Sequence, residues 1–149
     1  MENLIVAFTN ITVILPIITA LQNKDHLTAG IIGFTGIASF VSHLFENHKH
    51  NMPGIYPVSK KCSYILNRFD VFGVFLIGLR FAYMYYQKYN MTLNMEILPY
   101  LSVIALNLLS EYDKYNPALK TRYIVLHSLW HLSAFYSIDC VLKKIFYKN

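Results

Sequence analysis

Five apolar stretches, each near the length of a bilayer-crossing helix, leave this chain few ways to fold. They run from about Asn3 to Leu21, Leu27 to Phe45, Ser63 to Tyr86, Met95 to Ser110 and Thr121 to Leu142. A hydrocarbon core of roughly 30 Å takes about 20 helical residues at about 1.5 Å each. The connectors between them, "QNKDH", "ENHKHNMPGIYPVSKK", "QKYNMTLN" and "EYDKYNPALK", are short and polar. Only 14% of the residues are charged, against about 25% in an ordinary soluble domain. The expectation is an all-α, polytopic transmembrane bundle of about five spans, one domain over residues 1–149, integral to an endomembrane (ER or Golgi) or the plasma membrane. Glycines 30, 33 and 36 suit close helix contact in the second stretch. Pro and Gly in "NMPGIYP" make the second connector a loop. Tyr83, Tyr85, Tyr86, Tyr112, Tyr115 and Tyr123 gather near stretch ends, as an interfacial aromatic belt does.

The net charge of +5 is scattered, with no block of five or six basic residues. It reads as membrane-surface charge and gives no nucleic-acid footprint. With five spans the termini lie on opposite sides. Lys49, Lys60, Lys61, Lys114, Lys120 and Arg122 then face Lys24, Lys88, Lys143, Lys144 and Lys148, a balance too even to orient the chain. The sequon Asn90-Met91-Thr92, if used, makes its side luminal. The first run follows a lone acid, Glu2, has no basic leader and contains Asn10 and Thr12, so it is read as a retained span. Cys62 and Cys140 form neither a disulfide framework nor a cysteine zinc motif.

Ionisable groups inside apolar spans are costly and mark function by default. Six stand out: His43, Asp70, Arg80, His127, His131 and Asp139. Arg80 and Asp139 lie towards the side opposite the N-terminus and are expected to snorkel to the interface. The other four behave differently. His43 ends the second stretch, Asp70 lies about two turns into the third, and His127 and His131 about two and three turns into the fifth. Because the second stretch runs against the third and fifth, all four fall in one shallow layer on the N-terminal side.

Spacing within the layer adds to this. His127 and His131 are four residues apart on one helical face, and so are Ser39 and His43. Three imidazoles with an open fourth position form a catalytic zinc set. A nearby carboxylate can orient water or carry its proton, and a serine one turn from a ligand can support it. The competing reading of the same residues is a buried polar network joining three helices.

"SFVSH" (Ser39 to His43), "NRFD" (ending at Asp70) and "HSLWH" (His127 to His131) resemble the motif set of the CREST superfamily of membrane hydrolases. Its members include alkaline ceramidases, adiponectin and progestin receptors and Per1-like GPI-remodelling proteins. The resemblance implies zinc bound by His43, His127 and His131, a water-contacting Asp70 and a supporting Ser39. It implies hydrolysis of an amide or ester bond in a membrane lipid, ceramide or another acyl lipid. Family members have a seven-helix core, so this chain resembles a shortened form in which the last helix stays parallel to the third.

Several alternatives stay open at this point. Glu46, one turn from His43, competes with Asp70 as base. His48 and His50 in "ENHKH" form either a surface metal pair or part of a solvated loop. At the level of function, a zinc-dependent lipid hydrolase stands beside a b-type haem protein with His43 facing one of the other histidines. A non-enzymatic receptor, scaffold or transporter with a structural polar or metal site stands beside both. The oligomeric state is open.

Overall fold

The computed structural model describes residues 2–50, 52–56, 58–90, 92 and 98–147. These residues are helical, without strands, and form five helices: α1 (Glu2–Gln22), α2 (His26–Leu44), α3 (Lys60–Tyr89), α4 (Val103–Glu111) and α5 (Lys120–Tyr147). Three of them, α1, α2 and α3, are long and apolar enough to cross a membrane. The fourth stretch begins at Met95, outside the described residues, and its apolar helical part, Tyr100–Glu111, is short. The sequon's Met91 also lies outside the described residues. The fifth stretch forms a 28-residue helix, but its histidines, Asp139 and basic ends dilute its apolar character.

Local chemistry sets the helix boundaries. Pro16 has no N–H and its ring crowds the carbonyl four residues back, and the preceding turn, Thr9–Val13, tightens to 3-10 geometry. Thr9 and Thr12 hydroxyls donate back to the carbonyls of Val6 and Thr9 at 2.6 and 3.1 Å, further loosening the regular ladder. Lys24 takes a left-handed turn (φ 58°), and Asp25 caps α2 by accepting from the Thr28 amide at 3.0 Å. Ser59 caps α3 in the same way, accepting from the Cys62 amide at 3.1 Å. Asn90, left-handed at φ 47°, ends α3.

α2 packs on α3 and on α1, α1 on α5, and α5 on α4, while α3 meets α5 only narrowly. Among the described residues α3 and α4 make no close backbone approach, which leaves a cleft between them. Ala20, Ala29, Ile32, Met84, Val141, Leu142 and Ile145 form the aliphatic core at one end of the helices. The opposite end, where α2 and α4 finish and α3 and α5 begin, is polar.

Arg80 and Asp139 do not act as independent snorkelling charges. Arg80 pairs with Asp25 at 2.7 Å and donates to Thr28 at 2.8 Å, fastening α3 to the start of α2. Asp139 is buried and takes hydrogen bonds from Thr19 at 2.5 Å and Lys143 at 2.7 Å, fastening α5 to α1. Tyr83, Tyr86, Tyr112 and Tyr115 are exposed as a belt requires, but Tyr123 is wholly buried.

Of the three α2 glycines, Gly36 sits against Val13, Gly33 only touches Ile17, and Gly30 faces open space. The tightest backbone approach is at Gly73, where a Cβ would lie 3.0 Å from the Thr35 Cα. Gly73→Ala should therefore destabilise the α2–α3 pair by about 1–3 kcal/mol, the range for overpacking. Gly78→Ala, which meets nothing within 4 Å, should be neutral or slightly stabilising. Thermal unfolding of both variants in detergent checks this; equal melting temperatures would show that the α2–α3 contact yields freely at Gly73.

Candidate metal site

His43, at the C-terminal end of α2, meets His127 and His131 of α5, and all three are buried. Their ring centroids lie 4.7 to 4.9 Å apart. One nitrogen from each can be chosen so that all three lie within 4.8 Å of one another, the only such cluster of potential metal ligands among the described residues. The i, i+4 spacing on α5 accounts for two of these rings. The third comes from the antiparallel helix α2, which ends at the same depth.

Every ring is anchored on its Nδ1 side. The His43 Nδ1 is 3.0 Å from Glu46 Oε2. The His127 Nδ1 is 2.9 Å from Ser110 Oγ, whose own proton goes to the Asn107 carbonyl at 2.8 Å. The His131 Nδ1 is 3.0 Å from Thr9 Oγ1 and 3.3 Å from the Val6 carbonyl, and the Thr9 proton is already given to that carbonyl. Carboxylates and carbonyls only accept, and hydroxyls whose protons are spent elsewhere can only accept here. Each Nδ1 therefore donates, and each Nε2 keeps its lone pair. The Nε2 atoms of His43 and His127 are buried without a hydrogen-bond partner, and that of His131 has Ser39 Oγ at 3.4 Å. Outer groups that fix the tautomer and leave the other nitrogen bare are the usual support of a metal-binding histidine. The donor set fits a metal ion.

The acids divide by side. Asp70 lies 3.9 Å from the His43 Nε2, on the face of the bare nitrogens, with its Oδ1 unpartnered. Glu46 stands behind His43, on the Nδ1 side, and so supports the ring instead of facing the cluster. Burial alone would lift the Glu46 carboxyl, but the Lys49 ammonium and the His43 ring hold it well below the usual carboxylate range.

The connector after α2 does not behave as a solvated loop. Glu46, Lys49, His50 and Met52 are buried. His48 turns its Nδ1 to Ser63 at 2.8 Å and His50 its Nδ1 to the Asn116 carbonyl at 2.8 Å. Asn3 donates to the Glu46 carbonyl at 2.5 Å and Tyr123 to Glu46 Oε2 at 2.7 Å. The connector thus covers the histidines from the polar end. On the other side a cavity of about 760 Å³ begins at Ser39, Asp70 and His131 and continues past Ile77 and Phe81 to Tyr85 and Ile145. It lies in the cleft between α3 and α4, and its lining is almost wholly apolar.

Sequence reasoning missed the supporting partners Val6, Thr9, Lys49, Ser110 and Glu111. The only available signals were the polar residues inside the first run and the Ser-Glu pair closing the fourth. Ser110→Ala should lower metal affinity about tenfold to 100-fold, the range for losing an outer partner, with helical content unchanged. Competition with a chromophoric zinc chelator measures it, and an unchanged affinity would show that Ser110 does not orient His127.

No protein-family profile matches the chain, and no solved structure matches it. It is 49% identical over 153 aligned positions to "Uncharacterized protein L282" of Acanthamoeba polyphaga mimivirus, with 99% of this chain and 100% of that protein covered.

Proposed function

This chain belongs to the same family as that mimivirus protein, and we propose that it is an integral-membrane, zinc-dependent hydrolase of a lipid amide or ester bond, ceramidase-like in its chemistry. The observation that carries the reading is the convergence of three buried imidazoles, two of them with unpartnered Nε2 atoms, beside Asp70 at the head of an apolar cavity. The motif resemblance to the CREST hydrolases supports it. So does the outer surface: Ile11, Ile37, Phe75 and Leu108, on four helices, are each more than half exposed. Such an exterior suits a polytopic bundle in lipid and would be a liability in water.

His43, His127 and His131 would hold the zinc, which supplies Lewis acidity towards a carbonyl and towards water. Three neutral imidazoles and an open position match a catalytic zinc site better than a closed structural one. The rest is the work of the chain. The apolar cavity takes the acyl part of the lipid and keeps bulk water out, which strengthens every electrostatic contact at its head. Asp70 lies within reach of the cluster to accept a proton from water and return it to the leaving nitrogen or oxygen. Water adds across the acyl bond, hydroxyl to the carbonyl carbon and proton to the leaving group, and an acid and an amine or alcohol result. Ser39, which lines the head of the cavity with Asp70, supports the His131 ring. The connector with Glu46 closes the polar end, so substrate reaches the site from the bilayer side, between α3 and α4.

A haem centre fits poorly, because the three rings touch one another and leave no room for a macrocycle between any two. A receptor or scaffold with a non-catalytic metal site is the remaining competitor. Detergent-purified protein assayed for zinc by elemental analysis, then for release of fatty acid from ceramide and acyl-ester substrates, separates the two. About one zinc per chain with hydrolysis supports the enzyme, zinc without hydrolysis of either class favours the competitor, and absence of zinc sinks the metal reading.

A further inference from the structure

We infer that Lys49 is a positioning residue for the metal centre, its one ammonium joining the two carboxylates that stand behind His43 and His127. The inference deepens the metal reading above and rests on it. Glu46 Oε2 is 3.0 Å from His43 Nδ1, and Glu111 Oε1 is 3.5 Å from His127 Nδ1. Lys49 Nζ lies 3.1 Å from Glu46 Oε1 and 2.7 Å from Glu111 Oε1. The chain of contacts therefore leaves one ligand on α2, passes through a carboxylate, an ammonium and a second carboxylate, and returns to a ligand on α5.

A lysine could satisfy its charge far more easily by extending to water. Lys49 is instead 3% exposed, and burying an ion costs several kcal/mol unless its partners offset it. The loop is built to hold it there. His50, the next residue, sits at φ 50°, a conformation costly for a side-chain-bearing residue. It is held so by its amide on the Lys114 carbonyl and its ring on the Asn116 carbonyl, both at 2.8 Å. The ammonium also lies 5.3 Å from the centre of the Tyr123 ring, whose hydroxyl donates to the same Glu46 carboxylate.

The physical role follows from charge. Two carboxylates brought this near each other in a medium of low dielectric repel strongly. Without the ammonium they must separate: Glu46 then leaves the Nδ1 of His43 to which it is bonded, and Glu111 leaves its place beside the His127 ring that Ser110 holds. With the ammonium they are drawn together, and the two rings are turned towards a common point. A single side chain from a connector so fixes the relative orientation of ligands on two different helices.

The test uses the full-length protein in detergent and zinc itself as the probe, with affinity from chelator competition and folding from circular dichroism. Lys49→Met should lose zinc affinity by about tenfold or more while staying helical, and Lys49→Arg should recover at least half of that loss on a logarithmic scale. Glu111→Gln and Lys49→Met should be strongly non-additive, the double variant falling well short of the product of the single losses. A folded Lys49→Met with wild-type affinity overturns the inference, and so do losses that multiply within about twofold. Should Lys49→Met fail to fold, Glu111→Gln, changed at a partly exposed residue, gives the answer through ¹⁵N-imidazole NMR. Its effect should reach the His43 signal as well as the His127 signal, and an unmoved His43 signal overturns the inference. Wild-type protein that binds no zinc brings down the metal reading and this one together, whereas the other failures leave the metal reading standing.

Discussion

His131→Ala protein, purified beside wild type, should retain almost none of its zinc. His131 contributes one of three nitrogens whose mutual closeness defines the cluster. Its removal also releases Thr9, the Val6 carbonyl and Ser39 from their shared partner. Losing a group that only orients a ligand costs about 10–100-fold in affinity, and losing the ligand itself should exceed the top of that range. His48→Ala is the matched control. It removes an imidazole from the same end of the protein, but that ring's Nδ1 faces Ser63, so zinc content should stay at the wild-type level. Elemental analysis of the three proteins at equal concentration decides the matter. Equal zinc in His131→Ala and wild type would remove the site from consideration.

The second large effect is on turnover. Asp70→Asn keeps the shape and much of the hydrogen bonding of the side chain but cannot take up a proton. Loss of a positioned acid–base group costs about 10²–10⁴ in rate, and kcat for hydrolysis of a short-chain acyl substrate should fall within that range. Zinc content should stay near wild type, since Asp70 faces the cluster at 3.9 Å from His43 without belonging to the nitrogen set. Glu46→Gln distinguishes the two acids. Glu46 works on the far side of His43, so its loss should appear chiefly in zinc affinity. A reversal, with Asp70→Asn losing zinc and Glu46→Gln losing only turnover, would exchange the roles of the two carboxyls.

Much of the site was legible because helices convert sequence spacing into position. Ser39 and His43, His127 and His131, and the depth of Asp70 all follow from rise per residue and from the alternation of helix direction. The same arithmetic located Arg80 and Asp139 near the opposite end. It could not find their partners Asp25 and Thr19, because the azimuth of one helix against another depends on packing that no periodicity encodes. Gly73 was missed for that reason, while Gly30, equally helical and equally small, touches nothing. The connector after α2 was the largest loss. Its course is set by bonds such as His50 N to Lys114 O, between residues distant in sequence, and its polar composition looks the same whether it faces water or lies under the site. Tyr123 was misassigned to the aromatic belt because a tyrosine near a helix end looks alike in both settings until its hydroxyl finds Glu46.

The tightened turn in α1 makes the first helix a shaft in two pieces with a fixed angular offset between them. Over its five residues, 3-10 winding advances about 20° more and about 0.5 Å further per residue than α winding. The segment before Thr9 is therefore swung by about 100° and displaced by about 2.5 Å relative to an uninterrupted helix. That offset lets Thr19 and Ala20 serve the far end of the molecule while Asn3 and the Val6 carbonyl still face Glu46 and His131. Pro16 is thus the keyway that times the front of α1 to the metal cluster.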